Sequence, residues 1–242
     1  MLPAFAHAMT PSAFVADELR RQKIALGAVE VVPGGIDTRR YARPSEHQGP
    51  ADDSLSLLYV GRLTPEKGIE TAIEALGLLR RERGLEASHL VVAGTGSPAY
   101  QEKLRVKAAA AGPVVFLGKQ TEDALPAIYR AATALLFTSI WPEPFARVPL
   151  EAMAAGTPVI GTTSGGSEEL LRDGENCLTY PAGDAAALAQ AVKRLWKDPA
   201  LRRRLIRTGQ REVCDKYDLK HMVGGVEAHL LRLTTRPDPH FR

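Results

Sequence analysis

The sequence has little cysteine, no long apolar run and almost no net charge, and each shortage excludes a class of protein. Its two cysteines, Cys177 and Cys214, offer neither a disulfide framework nor the paired spacing of a zinc site. No run approaches the ~20 apolar residues of a transmembrane helix. The net charge of +3 gives no reason to expect nucleic acid as a partner.

The amino terminus lacks the features of a secretory signal. Residues Met1–Ala6 contain no basic region, and no long apolar stretch follows them. Together with the scarcity of cysteine, this favours a reducing, cytoplasmic setting.

One segment is locally basic, in contrast to the rest of the chain. It contains Arg202, Arg203, Arg204, Arg207 and Arg211. The apolar residues between them favour the solvated face of an amphipathic helix over a phosphate-binding patch.

Short apolar runs alternate with longer helical patterns, which is typical of a parallel sheet with crossover helices. Several runs are continuously apolar, as expected for strands covered on both faces. We therefore predict an α/β fold, a doubly wound parallel sheet of the Rossmann-like type. The predicted strands are Val29–Val32, Leu55–Val60, Leu90–Ala93, Val114–Leu117, Ala134–Phe137, Pro158–Ile160 and Cys177–Thr179.

Helix starts and flexible segments are indicated by capping residues and prolines. A capping side chain precedes a proline at Thr10-Pro11, Thr64-Pro65 and Asp198-Pro199, and Asp184 precedes an alanine-rich helix that runs to about Lys197. The stretch Tyr41–Ser54 has the composition of a linker or long loop. The tail after Leu233 is expected to be disordered or to pack on another part of a larger protein.

In a doubly wound sheet, ligands bind outside the carboxyl ends of the strands, so the loops there are informative. The loop 61–68 begins with a glycine, which allows close approach of a ligand. Lys67 is expected in the first turn of the next helix, where it opposes the helix dipole unless an anion lies between it and Arg62. A solvated Lys67 paired with Glu66 or Glu70 is an equal alternative.

The loop Gly94–Ala99 matches the GxGxxA pattern of dinucleotide-binding proteins. That function also requires an acidic residue at the end of the next strand. The next strand, Val114–Leu117, ends in Gly118 and Lys119 instead. Gly94 and Gly96 are therefore better explained by a tight turn, and a nicotinamide-dependent oxidoreductase is only a remote alternative.

The segment Trp141–Ile160 is the richest in candidate chemistry. Its prolines predict a helix that starts near Val148, with Pro149 suited to the first position, and that ends before Gly156. The free amides around Phe145–Val148 then form an anion site at the helix amino terminus.

Two glutamates flank that predicted anion site. Glu143 comes just before it, and Glu151 lies about one turn within an apolar helix, where a carboxylate needs hydrogen-bond donors such as two ribose hydroxyls. The alternative is a partly exposed Glu151 and a loop charge at Glu143; the apolar surroundings favour the binding role. The next loop, Gly161–Glu169, offers more backbone donors and a possible cap at Ser167, or only a tight turn before a short helix.

Taken in order, these residues resemble family 4 (group 1) glycosyltransferases of the GT-B type. The resemblance covers about Thr10 to Tyr217. The matching motifs are Val31–Asp37, Tyr59–Arg62, Glu66–Gly68, Gly94–Gly96, Phe116–Gly118, the pair Glu143 and Glu151, and Gly165-Gly166 with Glu169.

The resemblance implies a role for each candidate residue. Arg62 and Lys67 would hold the donor diphosphate and stabilise the leaving group. Glu151 would bind the ribose, and Glu143 would bind the transferred sugar as a residue of the catalytic set. The other implied donor contacts are Gly61, Gly94 and Gly96 in the loops, Phe145, Ala146, Arg147 and Val148 through their amides at the distal phosphate, and Leu117, Gly118 and Lys119 at the base.

The resemblance also implies a retaining, hexosyltransferase-like reaction with a UDP-, GDP- or ADP-linked sugar and no metal or other cofactor. Consistently, no Asp-x-Asp motif is present, since Asp52-Asp53 lies in the predicted linker. Three residues depart from the family pattern: Ala146 and Cys177 stand where glycine is usual, and Gly34 where asparagine is common.

GT-B enzymes have two domains of similar size, and the chain resembles only the second. We expect residues 1–28 to be the end of a first, acceptor-binding domain with its linker, 29–217 the nucleotide-sugar-binding domain, and 218–242 a carboxyl-terminal helix and tail. The sequence thus predicts the donor-binding half of a glycosyltransferase, whose partner is that first domain. A non-catalytic nucleotide-sugar-binding module is the main alternative.

Overall fold

The computed structural model describes residues 5–24, 26–42 and 54–235. Within these ranges the larger sheet has six parallel strands in the order β5-β4-β3-β6-β7-β8. Its strands are β3 (Ser56–Val60), β4 (His89–Ala93), β5 (Val114–Gly118), β6 (Ala134–Phe137), β7 (Val159–Gly161) and β8 (Leu178–Thr179).

Helices cover both faces of this sheet, which confirms the predicted doubly wound α/β fold. They are α3 (Ile69–Leu79), α4 (Pro98–Ala111), α5 (Leu125–Ala131), α6 (Arg147–Ala155), α7 (Ala185–Lys197) and α8 (Pro199–Lys216). Successive strand residues point to opposite faces, so Leu57 packs in one apolar core and Leu58 in the other. This explains why the strands are continuously apolar in the sequence.

Strands β3 and β6 form the switch point of the sheet. From β3 the chain winds outward through β4 and β5, then crosses back to place β6 on the other side of β3. Pairing of β3 with β4 continues to Val60, whereas its pairing with β6 stops at Leu58. The two strands therefore part at their carboxyl ends, where ligands bind in folds of this class.

A separate two-stranded parallel sheet lies at the amino-terminal end of the described chain. It pairs β1 (Phe5–Thr10) with β2 (Leu26–Val31), joined by α1 (Ala13–Arg21). The predicted strand Val29–Val32 therefore starts too late and belongs to this sheet. The domain boundary placed between residues 28 and 29 falls inside β2.

The last helix, α9 (Leu219–Thr235), packs against the segment that follows β2. His229 and Arg232 from this helix contact the carboxylate of Glu30 in β2. The carboxyl-terminal helix predicted for residues 218–242 is thus present up to residue 235, and the predicted disordered tail beyond it lies outside the described residues.

The predicted helix starts are partly correct. Asp184 and Asp198 cap α7 and α8 by accepting hydrogen bonds from Ala187 and Leu201. The prediction for Thr10-Pro11 was wrong, because Thr10 ends β1 and Ser12 caps α1.

Two further sequence predictions concern local structure. The predicted linker Tyr41–Ser54 begins with the last residue of a short helix, α2 (Thr38–Tyr41), in which Tyr41 is buried; residues 43–53 lie outside the described ranges. The arginine run lies on α8 with Leu201 and Leu205 buried, which confirms an amphipathic helix. No helix in the described parts of the chain is long and apolar enough to cross a bilayer.

Candidate functional site

A pocket of about 210 Å³ opens where β3 and β6 part. Its walls come from the ends of both strands, the loops that follow them and the start of α6. The lining residues are Tyr59, Val60, Gly61, Lys67, Leu136, Phe137, Thr138, Ser139, Glu143, Phe145, Ala146, Arg147 and Val148.

Lys67 reaches this pocket from a short 3-10 turn, Pro65–Lys67, that precedes α3. Lys67 therefore lies in the first turn of the helical element that follows β3, as expected, although this element is a 3-10 turn and Thr64 makes no capping hydrogen bond. Gly68 joins the two elements in the left-handed region, with φ 64°, and a Cβ there would lie 2.0 Å from the carbonyl oxygen of Thr138. This close approach brings the loops after β3 and β6 together.

Lys67 and Glu143 form an ion pair inside the pocket. The Lys67 Nζ lies 2.5 Å from Glu143 Oε1, and the buried Ser139 hydroxyl donates to the same oxygen at 2.6 Å. Their side chains are 19% and 10% exposed. The alternative of a solvated Lys67 paired with Glu66 or Glu70 was therefore wrong. Within the described ranges, the hydrogen bonds to this carboxylate all go to Oε1.

The backbone of Glu143 is held by the loop that follows β7. Its amide donates to Ser164 at 3.1 Å, and its carbonyl accepts from Gly166 at 2.6 Å. The predicted short helix after this loop was wrong, since residues 166–170 form turns. Ser167 accepts from the amide of Ser164 and stabilises a turn.

Helix α6 begins at Arg147 without a side-chain cap, and its first two residues, Arg147 and Val148, line the pocket. Pro149 occupies the third helical position, not the first, and Gly156 ends the helix with φ 77°. Ala146, where glycine is usual in the family, has φ −94° and is 3% exposed. Its backbone therefore does not require glycine.

Glu151 lies one turn into α6 and is 6% exposed, so the alternative of a partly exposed residue was wrong. Tyr129 donates its hydroxyl to Oε2 at 2.8 Å, and Arg147 approaches Oε1 at 3.5 Å. Burial raises the pKa of the Glu151 carboxyl above its ordinary value, and the Tyr129 hydrogen bond only partly offsets this.

Arg62 lies apart from Lys67, at a second depression beside the first. Its side chain is 72% exposed and its Nη2 is 4.0 Å from Glu66 Oε1. The two depressions share Val60 and Gly61. The second is lined by Val60, Gly61, Arg62, Ala93, Gly94, Thr95, Lys119, Gln120 and Leu125.

The glycines of the loop after β4 have a structural reason. A Cβ on Gly94 would lie 1.8 Å from the carbonyl oxygen of Gly61, and one on Gly96 would lie 2.0 Å from that of Leu63. These positions let the loops after β3 and β4 touch, as a tight turn requires. Of the three residues expected at the base, Lys119 lines the second depression, whereas Leu117 and Gly118 line neither. Gly118 ends β5 with φ 71°.

Sequence reasoning missed Ser139 and Tyr129, the neutral partners of the two glutamates. A serine two residues after the end of an apolar strand was the available signal for Ser139, whereas nothing local points to Tyr129. Two family departures are explained by packing. A Cβ on Gly34 would lie 2.6 Å from the Phe145 ring, and Cys177 is fully buried, which raises the pKa of its thiol to about 12.

In the described ranges, no group of three or more His, Cys, Asp or Glu side chains converges as metal ligands.

The chain matches known proteins over most of its length. Residues 43–212 match the family model described as glycosyl transferases group 1. The chain is 34% identical to glycogen synthase of Mycobacterium tuberculosis over 197 residues, covering 80% of this chain and 46% of that protein.

Two solved structures show the same fold. Sucrose-phosphate synthase from Thermosynechococcus elongatus superposes with a TM-score of 0.84 at 27% identity, over 95% of this chain and 58% of that one. The Anabaena protein Alr3699/HepE, solved in complex with UDP-glucose, superposes with a TM-score of 0.82 at 21% identity, over 93% of this chain and 63% of that one. The chain spans about half the length of the curated relatives it matches.

Proposed function

Because the chain belongs to the group 1 glycosyltransferases, we propose that it is the donor-binding half of a retaining, hexosyltransferase-like enzyme that uses a nucleotide-diphosphate sugar. The observation that carries this proposal is the buried Lys67–Glu143 pair, which faces the uncapped amino terminus of α6 at the switch point of the sheet. A cation and free amides suit a diphosphate, and a free carboxylate oxygen suits a sugar hydroxyl.

In this proposal the diphosphate lies between Lys67, Arg62 and the amides of Phe145–Val148. Arg62 is exposed enough to turn toward a ligand. Each cation within ~4 Å of a phosphate charge contributes on the order of 4 kcal/mol before desolvation, so two cations and a helix terminus can stabilise the leaving diphosphate without a metal. A structural neighbour was solved with UDP-glucose, which supports this ligand class.

Glu151 would bind the ribose. Its Oε1 faces the exposed guanidinium of Arg147, which can move aside for a hydroxyl, while Tyr129 keeps Oε2 in place. The base would occupy the second depression, near Gly118 and Lys119. UDP, GDP and ADP are all candidates for the donor nucleotide.

The reaction would break the bond between the sugar anomeric carbon and the diphosphate and join that carbon to an acceptor hydroxyl with retained configuration. An acceptor-binding domain would face the pocket. Among the described residues the β1–β2 sheet has no third strand, and the chain covers 43% of one curated relative; both observations support such a partner.

The first test is calorimetry of the purified chain with UDP, GDP and ADP up to millimolar concentration. We expect one of them to bind, and Lys67→Ala and Glu151→Ala to abolish that binding. Lys197→Ala, an exposed lysine at the end of α7, is the matched control and should bind normally. Absence of heat for all three nucleotides would contradict the donor site.

A non-catalytic binding module would also bind nucleotide, so turnover separates the two functions. Hydrolysis of the nucleotide sugar by the purified chain, or transfer after an acceptor domain is added, would exclude the module. Tight NADH binding that UDP, GDP and ADP do not displace would instead indicate an oxidoreductase.

A further inference from the structure

The amino terminus of α1 is capped from a distant part of the chain. The amides of Ala13 and Phe14 donate to the carboxylate of Glu169 at 3.1 and 2.8 Å, and the amide of Val15 donates to Ser12 Oγ at 3.2 Å. A carboxylate at this position also interacts favourably with the helix dipole. Glu169 belongs to the same motif as Gly166, whose amide binds the carbonyl of Glu143.

The same helix terminus contacts the loop that carries Glu143. The Ser12 hydroxyl, 2% exposed, donates to the carbonyl of Pro144 at 2.6 Å. A Cβ on Gly166 would lie 2.4 Å from that carbonyl oxygen and 3.0 Å from Ser12 Oγ. Three segments of the chain therefore meet here without space for another side chain.

With these contacts, hydrogen bonds hold Glu143 through its side chain, its backbone and the residue that follows it. Lys67 and Ser139 hold its side chain, Gly166 binds its carbonyl, and Ser12 binds the next residue along the chain. Glu169 follows Gly166 by three residues. Its hydrogen bonds to the amides of Ala13 and Phe14 join α1 to this site, as the bond from Ser12 to Pro144 does.

We infer that Ser12 and Glu169 are positioning residues: Ser12 fastens α1 to the loop 142–146, and Glu169 fastens α1 to the segment after β7 that binds the Glu143 backbone. Together they set the orientation of the Glu143 carboxylate toward the donor sugar. The orientation of Glu143 toward the sugar rests on the proposed function, whereas the attachment of α1 by Ser12 and Glu169 does not. Because α1 connects the two strands of the β1–β2 sheet, a change in the orientation of β1, α1 and β2 would also move Glu143.

Hydrogen exchange of the full chain tests the fastening without any ligand. In Glu169→Gln, which loses the charge, we expect the amides of Glu143 and Gly166 to exchange about tenfold faster, the size expected when one hydrogen bond to a charged group is lost. Exchange at Ile160 in β7 should not change. Glu168→Gln, the same change at an exposed neighbour, is the control.

Substitutions of Ser12 give an independent measurement. Ser12→Ala should accelerate exchange at the same two amides, and Ser12→Thr, which keeps the hydroxyl, should restore slow exchange. The inference is wrong if the Glu143 and Gly166 amides exchange at the same rate in Glu169→Gln as in Glu168→Gln, and at the same rate in Ser12→Ala as in Ser12→Thr.

Binding measurements test the effect on the sugar. With whichever of UDP, GDP or ADP binds, we expect Glu169→Gln to leave nucleotide affinity unchanged but to weaken binding of the corresponding nucleotide-glucose by about tenfold, the cost of one misplaced charged hydrogen bond. Equal loss for both ligands would indicate a general structural role and overturn the positioning role. If no nucleotide binds the unmodified chain, the proposed function fails while the exchange result still decides the fastening.

Discussion

The two glutamates at the site are stabilised by different means. Glu143 is paired with a cation and a hydroxyl, whereas Glu151 is buried against a neutral tyrosine, with its nearest cation at 3.5 Å on an exposed side chain. Their responses to substitution should therefore differ, although both are predicted to bind the same donor.

Glu151→Gln is expected to stabilise the protein at neutral pH while it weakens nucleotide binding. Burial raises the pKa of this carboxyl in the folded state, so its charged form opposes folding and stability decreases as pH rises above the ordinary value of 4.5. A glutamine keeps the Tyr129 hydrogen bond without the charge. We expect a gain of roughly 0.5–2 kcal/mol in the free energy of unfolding at pH 7.

Urea denaturation at several pH values measures this effect. The gain should disappear below pH 4.5, where the carboxyl is protonated in both states. Glu151→Ala is the comparison: it leaves the Tyr129 hydroxyl buried without its acceptor and should cost about 1–3 kcal/mol. A glutamine variant no more stable than the unmodified protein at pH 7 would contradict the effect of burial.

The Lys67–Glu143 pair should show strong coupling in a double-mutant cycle. Lys67→Met leaves a largely buried carboxylate with Ser139 as its remaining partner, and Glu143→Gln leaves a cation without its counter-ion. We expect a coupling energy of about 1–3 kcal/mol from urea denaturation of the single and double variants. A value below ~0.5 kcal/mol would show that the pair is held by its loops alone.

Sequence reasoning singled out Lys67, Glu143 and Glu151 as candidates because each lies near a local signal, such as a strand end or a helix start. It could not identify the partner of Lys67, since Glu143 lies 76 positions away and the two meet only when β3 and β6 become neighbours. It likewise could not identify Tyr129 as the partner of Glu151, since these two residues lie on different helices that become neighbours only in the fold.

At the level of secondary-structure elements, glycines determine how closely the loops approach. Gly94→Ala would place a methyl group against the carbonyl of Gly61, at a backbone φ of 153°. We expect a loss of about 3 kcal/mol or more, from overpacking and backbone strain together. Gly118→Ala is the matched control: its φ is 71° but the space is open, so only about 1–2 kcal/mol should be lost. Thermal denaturation of both variants compares the two costs.

The elements of the large sheet could be predicted because buried parallel strands are apolar on both faces. Caps made by a neighbouring residue, such as Asp184 and Asp198, were also predictable. The start of β2 was not, because Leu26-Gly27-Ala28 carries no strong strand signal and is fixed by pairing with β1. Ser12 could be distinguished from Thr10 as a cap only by tertiary contacts.

For the whole molecule, nucleotide binding should appear as thermal stabilisation. At a concentration 100 times its Kd, a ligand that binds only the folded state adds ~2.7 kcal/mol, which corresponds to a rise in Tm of roughly 5–10 °C for a chain of this size. Differential scanning fluorimetry should show this rise for the unmodified chain and for Lys197→Ala. The same rise in Lys67→Ala would place the nucleotide elsewhere.

The parting of β3 and β6 has a consequence for how specificity can vary among related chains. The pocket is lined by the strand ends at Val60 and Phe137, which lie beyond the last residues that pair β3 with β6. The polar groups of these strand ends belong to the main chain and are present whatever the side chains are. Substitutions there would alter the shape of the pocket and leave these polar groups in place. The preference for one donor over another can therefore change through the shape of the pocket, without a gain or loss of any charged residue.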